Sequence, residues 1–141
     1  MQEKSTENLL YSLQQNPIAK QATDGIKPAC VKETLSQDLN QLLTHKKLTK
    51  ADAIRNSMLN NIYAHQIFSG LKTPARDKLL LLGFGLQLTF DEMQTLLKRQ
   101  GYAQLYAKNS RDAFIIHAFL HGTTILELNT QLYENEMKTL L

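Results

Sequence analysis

One segment constrains the fold more than any other: residues 48–74, with the sequence LTKADAIRNSMLNNIYAHQIFSGLKTP. Residues of the kind that begin helices occur twice in this segment, a short distance apart. Thr49 suits the N-cap of one helix, and Asn60 suits the N-cap of the next. We therefore predict helices over 50–56 and 61–69, with only a tight turn between them.

The composition favours an all-α protein. The chain has 141 residues, of which 43% are hydrophobic and 21% are charged. That is enough apolar material for a core and too little charge for general disorder. Six glycines and three prolines are few, and the abundant residue types favour helix over strand.

Apolar periodicity and capping residues extend the helical prediction along the chain. We expect a short N-terminal helix, then a linker, a helix that opens at Thr34 or Ser36, and further helices after the two described above. The corresponding ranges are 5–15, 16–33, 34–47, 75–85, 90–100, 111–120 and 124–135. This predicts three parts: an N-terminal helix and linker at 1–33, a central domain at 34–100, and a C-terminal helical pair at 101–141 packed against it.

Several function classes lack support. Cys30 is the single cysteine, which excludes an internal disulfide and a site of several thiolates within one chain. His117 and His121 are four residues apart, but no third ligand is evident, so we interpret them as packing residues and expect no metal. No catalytic constellation or phosphate-binding glycine loop occurs, and we expect neither an enzyme nor a cofactor. Without a signal peptide or a long apolar run, we expect a cytoplasmic protein with no membrane association.

A weak repeat with a period of 35 residues links two stretches of the chain. RDKLLLLGFGLQLTFDEMQTLL begins at Arg76, and RDAFIIHAFLHGTTILELNTQL begins at Arg111. Both predict a helix, a turn and a second capped helix, and two such units can bury each other's apolar faces. Chance similarity between amphipathic helix pairs is the alternative. The recurrence of Arg76 as Arg111 also suggests a structural task for both, such as anchoring a helix pair.

Positive charge is concentrated in the middle of the chain. Residues 36–100 contain nine Lys and Arg against five acidic residues, a net charge of +4. The flanking stretches 1–35 and 101–141 carry net charges of zero and −1. This distribution suits contact with phosphate, although it is also ordinary for a solvated surface.

Residues 36–97 resemble the lambda-repressor/Cro-like (XRE-type) DNA-binding domain, a bundle of five helices. The family opens its second helix with Leu-Thr, closes its third with Gly twenty-two residues later and often has Pro four residues on. Leu48-Thr49, Gly70 and Pro74 match that spacing. The chain departs from the family at Met58, where the turn usually has Gly, at Ile54, where the family has a small residue, and at Phe68, where Glu is frequent.

The resemblance implies sequence-specific binding of double-stranded DNA by a bacterial or phage transcriptional regulator, with helix 61–69 in the major groove. Ala64 and Ile67 would face the core, leaving a polar face outside. The base-reading residues would be Asn61, Ile62, Tyr63, His65 and Gln66. An amide side chain can bond adenine in a bidentate manner, and an isoleucine can contact a thymine methyl.

Phosphate contacts would come from around that helix. The candidate residues are Thr49, Lys50, Asn60, Lys72 and Arg76, of which the family positions support Lys50 and Arg76 best. One such motif contacts about half of a site, so we expect a homodimer, with 101–141 as the segment for dimerisation or for docking a protein partner. The alternative is an adaptor or antitoxin-like component, in which Ile62, Tyr63 and Phe68 form a protein-contact surface on the same scaffold.

Overall fold

The computed structural model describes residues 34–141. Within this range all regular structure is helical and there are no strands, which confirms the all-α prediction for these residues. The helices are α1 Leu35–Lys46, α2 Lys50–Ser57, α3 Asn61–Ser69, α4 Arg76–Gly85, α5 Phe90–Arg99, α6 Ser110–His121 and α7 Ile125–Glu134. The predicted helix at 5–15 and the linker with Cys30 lie outside the described residues.

Side-chain caps explain where most of these helices begin. The hydroxyls of Thr34, Thr89 and Thr124 each accept a hydrogen bond from the third helical residue, whose Gln or Glu side chain bonds back to the cap. These capping boxes satisfy two backbone N–H groups apiece. The predicted boundaries therefore hold to within about one residue for α2 to α7.

The core is built largely from leucine and centres on α4. Leu79, Leu80, Leu81 and Leu82 are all fully buried, because α4 is covered on several sides at once. Helix α2 crosses α4 at Gly85, where an added Cβ would lie 2.3 Å from the carbonyl oxygen of Ala53. The glycine is therefore required by the close approach of the two backbones.

The 35-residue repeat is confirmed by hydrogen bonds that recur at the same spacing. The first repeat comprises 76–105 and the second repeat comprises 111–140. The amide of Leu105 donates to Gln94 Oε1 at 2.7 Å, and the amide of Leu140 donates to Asn129 Oδ1 at 2.8 Å. Each repeat thus contains a helix, a turn, a capped helix and a tail bonded to the second helix.

The two repeats pair through reciprocal contacts, as in a two-fold arrangement. Arg76 binds both carboxylate oxygens of Asp112 at 3.0 and 2.9 Å, and Arg111 binds both oxygens of Asp77 at the same distances. Rings at equivalent positions, Phe84 and Phe119, stack with centroids 4.1 Å apart. The structural task suggested for both arginines is therefore confirmed.

Residues 34–141 contain neither a membrane-spanning helix nor a cluster of metal-ligating side chains. None of these helices combines the length and the apolar character needed to cross a bilayer. His, Asp and Glu side chains in this part of the chain do not gather in threes suited to a metal ion. His117 and His121 do lie side by side, with ring centroids 4.2 Å apart.

Candidate nucleic-acid interface

Helix α3 presents a polar outer face. Ala64 and Ile67 are buried as predicted, at 0% and 1% exposure. On the other side, Asn61, Ile62 and His65 are exposed. Among residues 34–141, the side chains of Asn61 and His65 have no hydrogen-bonding partner, so their polar atoms are available to a ligand.

Two predicted base-reading residues are less open than the others. Tyr63 and Gln66 are both half-buried at the edges of the outer face. The Gln66 side chain bonds to no residue in 34–141, while its backbone oxygen accepts from the amides of Leu71 and Lys72 at 2.9 and 3.2 Å. That pair of bonds fixes the loop after α3 against the helix end.

The C-terminal end of α3 is fastened to α1. Ser36 Oγ and Asn40 Nδ2 donate to the carbonyl oxygen of Phe68 at 2.5 and 3.2 Å. The Phe68 side chain is 1% exposed. The adaptor interpretation was therefore wrong to place Phe68 on a contact surface, because this ring is core that anchors α3.

The turn between α2 and α3 is made without glycine. Met58 takes the left-handed conformation, with φ of 62°. That conformation is costly for a residue with a Cβ, by roughly 1 kcal/mol. Ser57 supports the turn, since its hydroxyl donates to Ile54 O at 2.6 Å and accepts from Leu59 N at 3.2 Å.

Two of the predicted phosphate contacts are helix caps. Thr49 Oγ1 accepts from the amide of Asp52 at 3.0 Å, and Asn60 Oδ1 accepts from the amide of Tyr63 at 3.0 Å. Both residues are exposed, but the Thr49 hydroxyl also bonds the Asp52 carboxylate, whereas the Asn60 side-chain amide keeps its protons to donate. Asn60 thus stabilises α3 and offers a donor at its N-terminal end.

The predicted cations fall into two groups. Lys50 lies with its Nζ 5.7 Å from the centre of the Phe68 ring, and Lys72 is exposed on the loop after α3. Neither forms an ion pair within residues 34–141. The two amines therefore leave positive charge that no carboxylate among these residues cancels, Lys50 beside Phe68 of α3 and Lys72 just after the C-terminal end of α3.

Arg76 belongs to the other group, because its guanidinium is already engaged. Besides the two bonds to Asp112, it donates to the carbonyl oxygens of Ala103 and Gln104 at 2.9 and 3.1 Å. A phosphate would have to compete with these acceptors. Direct phosphate contact by Arg76 stays a prediction with less support than that of Lys50 or Lys72.

Two carboxylates of this bundle, Asp52 on α2 and Glu92 on α5, are each paired with a cation. The hydrogen bond from Arg55 at 2.6 Å, together with that from the Thr49 hydroxyl, lowers the pKa of Asp52. At Glu92, burial favours a higher pKa, but bonds from Lys46 and from Thr89 lower the pKa overall. These acids stay charged at neutral pH, and each has a cation beside it.

The sequence prediction missed one element beside α3. Tyr102, in the segment after α5, donates from its hydroxyl to Pro74 O at 2.6 Å. Burial, and next the neighbouring Tyr63 on α3, raise the pKa of Tyr102. No pattern in the sequence indicated this contact, because it depends on how the segment after α5 packs beside the loop that follows α3.

Comparison with known proteins returns no match: no family model, no curated protein and no solved structure is similar to this chain. The geometry of the described residues is therefore the basis for a function.

Proposed function

We propose that this protein is a sequence-specific binder of double-stranded DNA and acts as a transcriptional regulator, with α3 in the major groove. The supporting observation is the exposed outer face of α3, whose Asn61 and His65 side chains have no partner among residues 34–141, together with Lys50 and Lys72 outside ion pairs close to this helix. Asn61 and Gln66 offer amides suited to adenine, and Ile62, 69% exposed, offers a methyl surface suited to thymine. Tyr63 and His65 complete the proposed reading face.

The fold proposal is a lambda-repressor-like arrangement of α1 to α5, carrying α6 and α7 as a C-terminal pair. Its support is the way in which α3 is held: α1 bonds the C-terminal end of α3, and α2 packs closely on α4 at Gly85. A rigid mounting of this kind allows a helix to fix its register on base edges. DNA phosphates would then meet Thr49, Lys50, Asn60 and Lys72.

We propose a homodimer through the C-terminal pair. Leu120, Leu126 and Tyr133 are exposed by 60%, 59% and 76%. The equivalent positions in the first repeat are Gly85, Asp91 and Lys98, which are small or charged. Large apolar side chains on the outer side of the second repeat favour burial against another chain, and a dimer would present two copies of α3 to a two-fold site.

Selection from a random pool of duplexes tests the proposal. The enriched duplex should carry a two-fold motif. Changing Asn61 and Gln66 together to Ala should abolish the preference for that motif over mixed sequence, because the groups that read bases are gone. Gln41→Ala, an exposed glutamine on α1, is the matched control and should bind like the wild-type protein. Failure to enrich any motif would contradict the proposal.

The adaptor function is supported by one observation, namely that α3 itself carries no Lys or Arg while Ile62 is widely exposed. Salt dependence separates the two functions. DNA binding through several phosphates falls steeply with salt concentration, whereas docking of a protein on an apolar surface changes little. The adaptor function predicts that Ile62→Asp abolishes binding of a protein partner and that no duplex binds.

A further inference from the structure

The loop between α5 and α6, residues 100–109, lies beside the DNA-facing part of the molecule. Its first half is tied to the loop that follows α3, residues 70–75, and to the start of α4. Tyr102 bonds Pro74 O, while Arg76 bonds the carbonyl oxygens of Ala103 and Gln104. The α5–α6 loop is therefore fixed beside the loop that follows α3, which carries Lys72.

The second half of the loop is fixed by the same arginine. Asp112, which holds the guanidinium of Arg76, also accepts from the amide of Tyr106 at 3.0 Å. The amide of Asn109 then donates to Tyr106 O at 2.9 Å, and Asn109 caps α6. Both halves of the loop are thus bonded to the Arg76–Asp112 pair, directly or through one residue.

The repeat shows why the two loops lie together. Residues 106–110 lead into the Arg-Asp pair of the second repeat just as residues 71–75 lead into that of the first. Since these pairs bind each other across the repeats, both loops end at the same place on the surface. A surface that follows the phosphates past Lys72 would next meet the α5–α6 loop.

Two exposed donors stand on this part of the loop. Tyr106 is 60% exposed, and Lys108 is exposed without an ion pair among residues 34–141. Two acidic residues lie near Lys108: Asp112 follows it in the sequence, and Asp77 binds Arg111 of the second repeat. Each of these carboxylates already forms an ion pair with an arginine. The net charge that Lys108 adds here is therefore not cancelled.

We propose that the α5–α6 loop is a second contact to the DNA phosphate backbone, with Lys108 as the binding residue and Arg76 as the residue that positions the loop. This inference rests on the proposed function and extends the interface beyond α2 and α3. Because every nucleotide carries the same phosphate group, the gain in affinity from this contact should be independent of base sequence. Arg76 then acts through the loop and touches no phosphate.

Titration of the enriched duplex and of a mixed-sequence duplex, each at several salt concentrations, tests the inference. Lys108→Ala should weaken binding to both duplexes by the same factor and reduce the slope of log affinity against log salt by about one. Lys98→Ala removes another exposed lysine, from α5, and is the matched control, with an unchanged slope. Equal affinity and slope for Lys108→Ala and the wild-type protein would overturn the inference while leaving the proposed function standing.

A double-mutant cycle tests the positioning role of Arg76. Arg76→Lys keeps the charge but loses the two-pronged grip on Asp112. It should weaken DNA binding in the wild-type background and add nothing when Lys108 is already Ala, because the positioned group is gone. Independent, additive losses would mean that Arg76 meets phosphate itself and would overturn the positioning role. Absence of binding by the wild-type protein to any duplex would overturn the proposed function and this inference together.

Discussion

The two repeats share their internal hydrogen bonds but differ in what surrounds them. In the first repeat, α2 covers α4 so closely that Leu82, Gly85 and Leu86 are buried. The equivalent positions in the second repeat, His117, Leu120 and His121, are exposed. The same helical hairpin thus supports α2 and α3 in the first repeat, whereas in the second repeat the equivalent surface of α6 stays exposed.

The difference lies in a few side chains rather than in the backbone. The same hydrogen bonds define the helical hairpin in both repeats. They comprise the capping box of the second helix and the bond from the tail to Gln94 or Asn129. Glycine at position 85 makes room for another helix, whereas leucine at position 120 fills that space. Local structure is therefore set by repeated polar residues, and packing partners are set by side-chain size.

The largest effect should follow from exchanging these two residues. Gly85→Leu places side-chain atoms on the carbonyl of Ala53 and on Ser57, so we expect a loss of unfolding free energy of about 3 kcal/mol or unfolding outright. Leu120→Gly, the reverse change in the second repeat, should lose only about 1 kcal/mol through helix propensity. Urea denaturation followed by circular dichroism measures both. Similar losses at the two sites would contradict the contrast between the repeats.

The two ion pairs between the repeats should differ in strength. Arg76→Ala leaves Asp112, 6% exposed, without its main partner and should lower the unfolding free energy by about 3 kcal/mol. Arg111→Ala should lower it less, because Asp77 is more exposed and keeps Lys138 at 3.8 Å. Urea denaturation of the two variants gives the comparison. A larger loss of unfolding free energy for Arg111→Ala would show that the Arg111–Asp77 pair is the stronger of the two.

The first of these pairs should also leave a signature in pH. Burial favours a higher pKa for Asp112, but the bonds from Arg76 and from the Tyr106 amide lower it overall. A lowered pKa in the folded state stabilises the protein above the unfolded value near 4, and that gain disappears as the pH falls through the folded value. In Arg76→Ala the effect of burial on the Asp112 pKa dominates, so the difference in unfolding free energy between this variant and the wild-type protein should decrease as the pH falls. A difference that stays constant down to about pH 3 would contradict the role given to the Arg76–Asp112 pair.

Giving the second repeat the surface of the first should weaken self-association. Leu126→Asp with Tyr133→Lys installs the residues found at Asp91 and Lys98, and both positions are exposed, so the fold should persist. We expect at least about a tenfold weaker dimer, which corresponds to about 1.4 kcal/mol. Sedimentation equilibrium measures the change. The matched control is Asp91→Asn in the first repeat, and an unaltered dimer in the double variant would place the interface elsewhere.

The smallest effects should be equal in the two repeats. Thr89→Ala and Thr124→Ala each remove one capping box, which contributes about 1 kcal/mol. Because the two boxes have the same geometry, thermal melts should show closely similar losses. A clear inequality would show that the hairpins are less alike in energy than in structure.

Much of the fold could be predicted because its signals are local. Thr49, Asn60 and Gly70 mark helix ends through bonds to neighbours within a few residues, and the 35-residue register is visible in the sequence. Contacts between residues far apart in the sequence were harder to predict. That Arg76 would bind Asp112 rather than phosphate depends on the way the repeats meet, which no local pattern specifies. The position of Tyr102 against Pro74 escaped prediction for the same reason.

Amide chemical-shift mapping with the enriched duplex reports on both repeats at once and therefore shows whether DNA binds on α3. The amides perturbed by DNA should lie at the start of α2, along α3, in residues 70–75 and in the α5–α6 loop. Amides on the outer side of α6 and α7 should show only the shifts that dimerisation itself causes. Perturbations centred on α6 and α7, or none on α3, would contradict this prediction.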